Sequence, residues 1–138
     1  MTVVVDASVA LKWVLPEDGA DAAEALLAAP IHAPDILLAE CGNVLWTASV
    51  RRRVTAARSR EALEFIASVP MTMHPCVPLV IPALDLALEL NHPAYDCLYV
   101  VLARRLNLPL VTADKVLVRA AGLVKDLDVT IVPLAGSS

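Results

Sequence analysis

Apolar positions along the chain fall into short unbroken runs separated by stretches with a three-to-four-residue repeat. Thr2-Val3-Val4-Val5 is β-branched and closed by an aspartate, which predicts a buried strand over 2–5. Helical spacing follows over 7–15, stopped by Pro16, and over 18–29, ended by Pro30. Residues 31–33 predict a short strand. Asp35 stands where it can cap a long helix running to about Arg52, and Thr55 can cap another that ends before Pro70. A strand is predicted over 71–74 and a helix over 79–90. Over 94–107, Leu98, Val101, Leu102 and Leu106 recur at helical spacing. A strand at 108–112, a helix over 113–121 closed by Gly122, and a strand at 129–132 complete the pattern, with Gly136-Ser137-Ser138 as a tail. Strands without polar alternation, separated by helices, predict a parallel sheet covered on both faces, an α/β sandwich. In such sheets the ligand crevice lies at the carboxyl ends of the strands.

At 138 residues the chain has the length of a single domain, 1–138. Its apolar fraction of 58% is mostly aliphatic, since aromatics supply only 4%, and this excludes disorder. The longest uncharged stretch, 65–84, is long enough to span a bilayer. Pro70, Pro75, Pro78 and Pro82 interrupt it, so it predicts a turn-rich connection and no membrane segment. The start of the chain has no basic region, and Asp6 sits where a signal's apolar core belongs, so a soluble cytoplasmic protein is expected. A net charge of -4 excludes a globally basic nucleic-acid binder while allowing a local patch. Cys41, Cys76 and Cys97 read as buried free thiols. With His32, His74 and His92 they show no ligand spacing, which argues against zinc and against a Cys/His nucleophile.

Four acids stand where acids are costly. Asp6 and Asp114 each follow a predicted strand directly, where either a helix cap or a shared site accounts for them. Glu40 shares a helical face with Ile36, Leu37, Asn43, Val44 and Thr47, a face apolar enough to make a carboxylate expensive unless it is paired or bound to a cation. Asp96 lies in the first turn of the 94–107 helix, where the helix dipole favours it, and that helix leads into the strand ending near Asp114. Carboxylates converging on one crevice repel one another unless they hold a hard divalent cation, and oxygen ligands select Mg²⁺ or Mn²⁺. Such a centre suits phosphodiester hydrolysis.

Val3-Val4-Val5-Asp6-Ala7-Ser8, the mid-helix Glu40 with Asn43, Tyr95-Asp96-Cys97-Leu98-Tyr99-Val100-Val101-Leu102-Ala103 and Val111-Thr112-Ala113-Asp114 occur in this order. Together they resemble the PIN-domain ribonucleases, specifically the VapC-type toxins of toxin–antitoxin pairs, over nearly the whole chain. The resemblance implies a PIN-like three-layer sandwich with an acidic pocket at the carboxyl edge of its central parallel sheet. It implies that Asp6, Glu40, Asp96 and Asp114 hold one or two Mg²⁺ or Mn²⁺ ions, with Ser8, Asn43 and Thr112 supporting them. It further implies endonucleolytic cleavage of RNA, a homodimer, and silencing by a cognate antitoxin protein.

Arg51, Arg52 and Arg53, with Arg58 and Arg60, could touch RNA phosphates or simply stabilise a helix end; Lys115 and Arg119 could flank the cleft. Trp13 and Trp46 fall on apolar helix faces and are expected in the core or a dimer contact. The Ala- and Leu-rich stretch 20–29 suits either core packing or an antitoxin helix. A phosphatase or receiver-type domain needs a second acid soon after the first or a strand-end lysine, and Ala7-Ser8-Val9 supplies neither. Two alternatives remain open: a PIN-like module that only binds a basic partner, and a free-standing PIN nuclease without an antitoxin.

Overall fold

The computed structural model describes residues 1–137 and forms an α/β sandwich around five strands: β1 (Val3–Val5), β2 (Ile31–Pro34), β3 (Met71–His74), β4 (Leu110–Thr112) and β5 (Ile131–Pro133). All four pairings are parallel, in the order β3-β2-β1-β4-β5. The chain builds outward from β1 through β2 to β3, then crosses back to add β4 and β5 on the other side. The order reverses between β1 and β4, and that is where an open parallel sheet leaves a crevice at its carboxyl edge.

Seven α-helices accompany the sheet: α1 (Ala7–Ala10), α2 (Ala20–Ala25), α3 (Leu37–Val50), α4 (Ala56–Ser68), α5 (Val80–Leu90), α6 (Ala94–Leu106) and α7 (Lys115–Ala121). β1 shows why two layers are needed, because successive side chains leave a strand on opposite faces. Val4 packs with Leu37, Cys41 and Leu45 of α3, Ile66 of α4 and the buried run of α6. Val3 and Val5 pack the other way, with Val9, Ala23, Ile31, Val111 and Leu134. Seven consecutive residues of α6, Cys97 to Ala103, are buried, as expected of a helix lying between the sheet and α5.

Several sequence expectations change in detail. The predicted 7–15 helix is α1 followed by a 3-10 turn, Leu11–Trp13; the 18–29 helix is α2 followed by a 3-10 turn, Leu26–Ala28. Asp35 does not cap α3. Ile36 is the capping position, and the Asp35 carboxylate accepts instead from the Cys76 backbone N–H at 3.1 Å. Thr55 does cap α4, accepting from Arg58 N–H at 3.1 Å. The 65–84 stretch is more ordered than a turn-rich connection: it holds the end of α4, β3, a 3-10 turn and the start of α5. Pro82 sits in the first turn of α5, where its missing N–H has no intrahelical partner to lose. Among the described residues, no helix is long and apolar enough to cross a membrane. Part of the expected tail is folded: Ser137 Oγ donates to Leu134 O at 2.8 Å, and Gly136 packs on Gly19, both glycines having positive φ. Ser138 lies outside the described residues.

Of the cysteines, Cys41 and Cys97 are buried as expected while Cys76 is half-buried. Burial pushes the Cys41 thiol up to about 12, far from nucleophilic character. Trp13 is partly buried, its indole donating to Ala23 O at 2.9 Å. Trp46 is 63% exposed and is no part of the core.

Candidate active site

Register positions the first acid. β1 and β4 pair Val5 with Val111, so the next residues along, Asp6 and Thr112, lie side by side at the carboxyl edge. Asp6 is 5% exposed. One of its oxygens accepts from Ser8 Oγ at 2.5 Å and Val9 N–H at 3.2 Å, and the other accepts from Thr112 Oγ1. Ser8 Oγ accepts in turn from Ala113 N–H at 2.9 Å, and Thr112 Oγ1 from Asp114 N–H at 3.0 Å. Ser8 and Thr112 thus lace the ends of β1 and β4 together around one carboxylate. Burial outweighs these donors and lifts the Asp6 pKa to about 6, with the charge of Asp96 adding to the rise.

Asp6 and Asp114 are both helix caps, so the capping explanation is correct for each. Asp114 Oδ1 accepts from Val116 N–H at 2.9 Å and Leu117 N–H at 3.2 Å. Capping does not exhaust its role. One ligand atom each from Asp114, Asp96 and His92 lies within 4.8 Å of the others.

Sequence reasoning missed His92. Asn91 ends α5 in the left-handed region (φ 53°), and His92 N–H closes the turn on Ala87 O at 3.1 Å. This turn buries His92 and sets its Nε2 2.7 Å from Asp96 Oδ2. The available signal was the turn-forming Asn91-His92-Pro93 just before the helix that carries Asp96.

Glu40 enters from α3. The Tyr99 hydroxyl, on buried α6, donates to its Oε1 at 2.5 Å, and Tyr99 itself is 1% exposed. Burial raises the Glu40 pKa, and Asp96 raises it further. Glu40 is thus tied to the core, while Asn43 on the same helical face is exposed. Glu40, Asn43 and Asp96 line one cleft of about 580 Å³ together with Ser8, Val44 and Tyr95. Lys115 and Arg119 are exposed on α7 and do not line it.

Two of the four expected acids, Asp96 and Asp114, meet directly with His92. Asp6 and Glu40 flank Asp96 closely enough for its charge to raise both pKa values. Among the described residues, no lysine or arginine forms an ion pair with any of the four. Mutually repelling carboxylates, one buried and three half-buried, beside a buried imidazole form a donor set suited to a hard divalent cation.

A parallel sheet in this order, with acids gathered at its switch point, defines a class. The chain belongs to the PIN-domain family, whose model matches residues 3–123. Among curated relatives it is 38% identical over 112 residues to "Ribonuclease VapC9" of Mycobacterium tuberculosis, spanning 81% of this chain and 85% of that protein. Among solved structures it is similar to PAE2754 of Pyrobaculum aerophilum (TM-score 0.67, 24% identity, 96% of this chain and 84% of that one). It is also similar to VapBC2 of Rickettsia felis, solved with a DNA fragment from its promoter (TM-score 0.67, 15% identity, 96% and 98%). These two likenesses confirm the fold.

Proposed function

We infer that this chain, as one PIN domain over 1–138, is an endoribonuclease of the VapC type, the toxin of a toxin–antitoxin pair acting in the cytoplasm. The observation that carries the catalytic reading is the meeting of Asp96, Asp114 and His92 beside Asp6 and Glu40 at the sheet's switch point. The ribonuclease relatives, alike over most of both chains, supply the substrate class.

Asp6, Glu40, Asp96 and Asp114 would hold Mg²⁺ or Mn²⁺. A bound divalent cation supplies Lewis acidity and neutralises charge during phosphodiester hydrolysis. The chain's own residues fix the carboxylates. Ser8, Thr112 and Val9 N–H hold Asp6, His92 holds one oxygen of Asp96, and the N–H groups of α7 hold one oxygen of Asp114. Tyr99 fixes one oxygen of Glu40 and leaves the other for the cleft. Carboxylates oriented in this way would present their oxygens to a cation at little cost in side-chain ordering. Asn43 lies on the cleft wall as a polar contact for the RNA strand.

The cognate antitoxin is the silencing partner, and a second copy of this chain covers the outer face of α5. Ile81, Leu84 and Leu88 of α5 are 68%, 48% and 74% exposed at the three-four spacing of a helix–helix seam, and Val77, in the 3-10 turn before it, is 84% exposed. They offer on the order of 500 Å² of apolar surface, most of one side of a standard interface of about 800 Å². A twofold axis makes such a stripe self-complementary. The activity is tested by incubating the protein with single-stranded RNA: cleavage in Mg²⁺ or Mn²⁺ that a chelator abolishes supports the reading, and no cleavage with either cation refutes it.

A further inference from the structure

The cleft that holds Glu40 and Asp96 does not end at the acids. Val44 forms part of its wall and also part of the wall of a second depression, of about 330 Å³, lined by Leu15, Pro16, Thr47, Arg51 and Arg53. The two depressions therefore adjoin at Val44, along the α3 stripe Glu40, Val44, Thr47 and Arg51, which spans about 16 Å at the helical rise. Together they run from the carboxylates to two guanidiniums.

The end of α3 explains which arginines face the groove. Arg52 takes the left-handed conformation (φ 57°), and Arg53 N–H returns to Ala48 O at 2.9 Å. That reversal brings Arg53 back beside Arg51, while Arg52 is absent from the lining. The charges differ in availability as well. On α4, Arg58 and Arg60 are paired with Glu61 at 3.7 Å and Glu64 at 2.9 Å. Among the described residues, Arg51 and Arg53 form no ion pair. Glu17, on the same groove, is engaged by Lys12 at 3.3 Å.

We propose that this groove carries the RNA strand away from the acidic cleft, with Arg51 and Arg53 binding phosphates a few nucleotides from the cut and Arg52 taking no part. The proposal rests on the ribonuclease reading and assigns its substrate path. The arginines act as positioning residues. Removing one weakens strand binding with little effect on the reacting atoms, so KM rises while kcat holds. Each phosphate contact also contributes to the dependence of binding on salt.

The test compares Arg51→Ala, Arg53→Ala and Arg52→Ala, three exposed substitutions that each remove one positive charge. An unstructured single-stranded RNA is followed in two ways: cleavage kinetics with Mn²⁺, and fluorescence anisotropy across a salt series. Arg51→Ala and Arg53→Ala are expected to raise KM and Kd roughly five- to tenfold, to keep kcat within about twofold, and to flatten the salt slope by about 0.7. Arg52→Ala is expected to stay within about twofold of wild type. Equal effects of all three, whether large or absent, overturn the proposal by showing general charge attraction or none. Wild-type protein that binds RNA but never cleaves it refutes the ribonuclease reading instead, and the anisotropy comparison still decides the groove.

Discussion

Asp6 carries the tightest constraint of any single residue here. Its folded pKa of about 6 lies above its ordinary 3.8 because burial disfavours the charge, so the metal-free native state holds this proton more firmly than the unfolded chain does. The stabilisation it contributes is complete below 3.8 and is lost as pH rises through 6. At pH 8 the deficit is on the order of 3 kcal/mol. Thermal melts in chelator should therefore show Asp6→Asn more stable than wild type at pH 8, the gain disappearing toward pH 4. Tyr99→Phe should cost about 1–2 kcal/mol in urea unfolding, because it removes the donor to Glu40 Oε1, and should lower cleavage as well. At this scale the acids were legible because each stands out against apolar neighbours. His92 and Tyr99 were not. His92 precedes Pro93 and lies outside the helix of Asp96, so its four-residue spacing did not read as a face. Tyr99 sits in a run of core residues and meets Glu40 only across 59 positions of sequence.

Helices and strands were legible to the extent that their signals are local. The β-branched run of β1, the Thr55 cap and the helical repeat of α6 all act within a few residues, and each predicted element forms. Asp35 failed as a cap because a tertiary partner, the backbone of Cys76, claims its carboxylate. The end of α3 falls close to the expected Arg52, but the turn that makes it was not legible, since Arg52 occupies a left-handed position that glycine usually fills. Arg52→Gly should relieve that cost and stabilise the fold by about 1 kcal/mol, seen as a rise of a few degrees in Tm. RNA affinity should change little, because Arg52 is outside the groove.

Across the whole molecule, the four site acids equal the net charge of -4, so the rest of the chain is balanced. A bound cation thus removes repulsion at the point where charge is concentrated. Mn²⁺ should raise the Tm of wild type at pH 8 and raise that of Asp96→Asn much less. The dimer face proposed on α5 is independent of this. Ile81→Glu with Leu88→Glu should shift the protein from dimer to monomer in sedimentation while cleavage per subunit persists; a monomeric wild type contradicts the α5 interface. Sheet order and partner surfaces depend on contacts distant in sequence, and for that reason the sequence pointed to a sandwich and a crevice without giving the α3 groove. The most direct measurement is cleavage of single-stranded RNA by wild type, Asp6→Asn and Asp96→Asn in Mn²⁺. Loss of about a hundredfold or more in both variants, with folding retained, is the predicted result. Equal cleavage by all three proteins would contradict the assignment of the site.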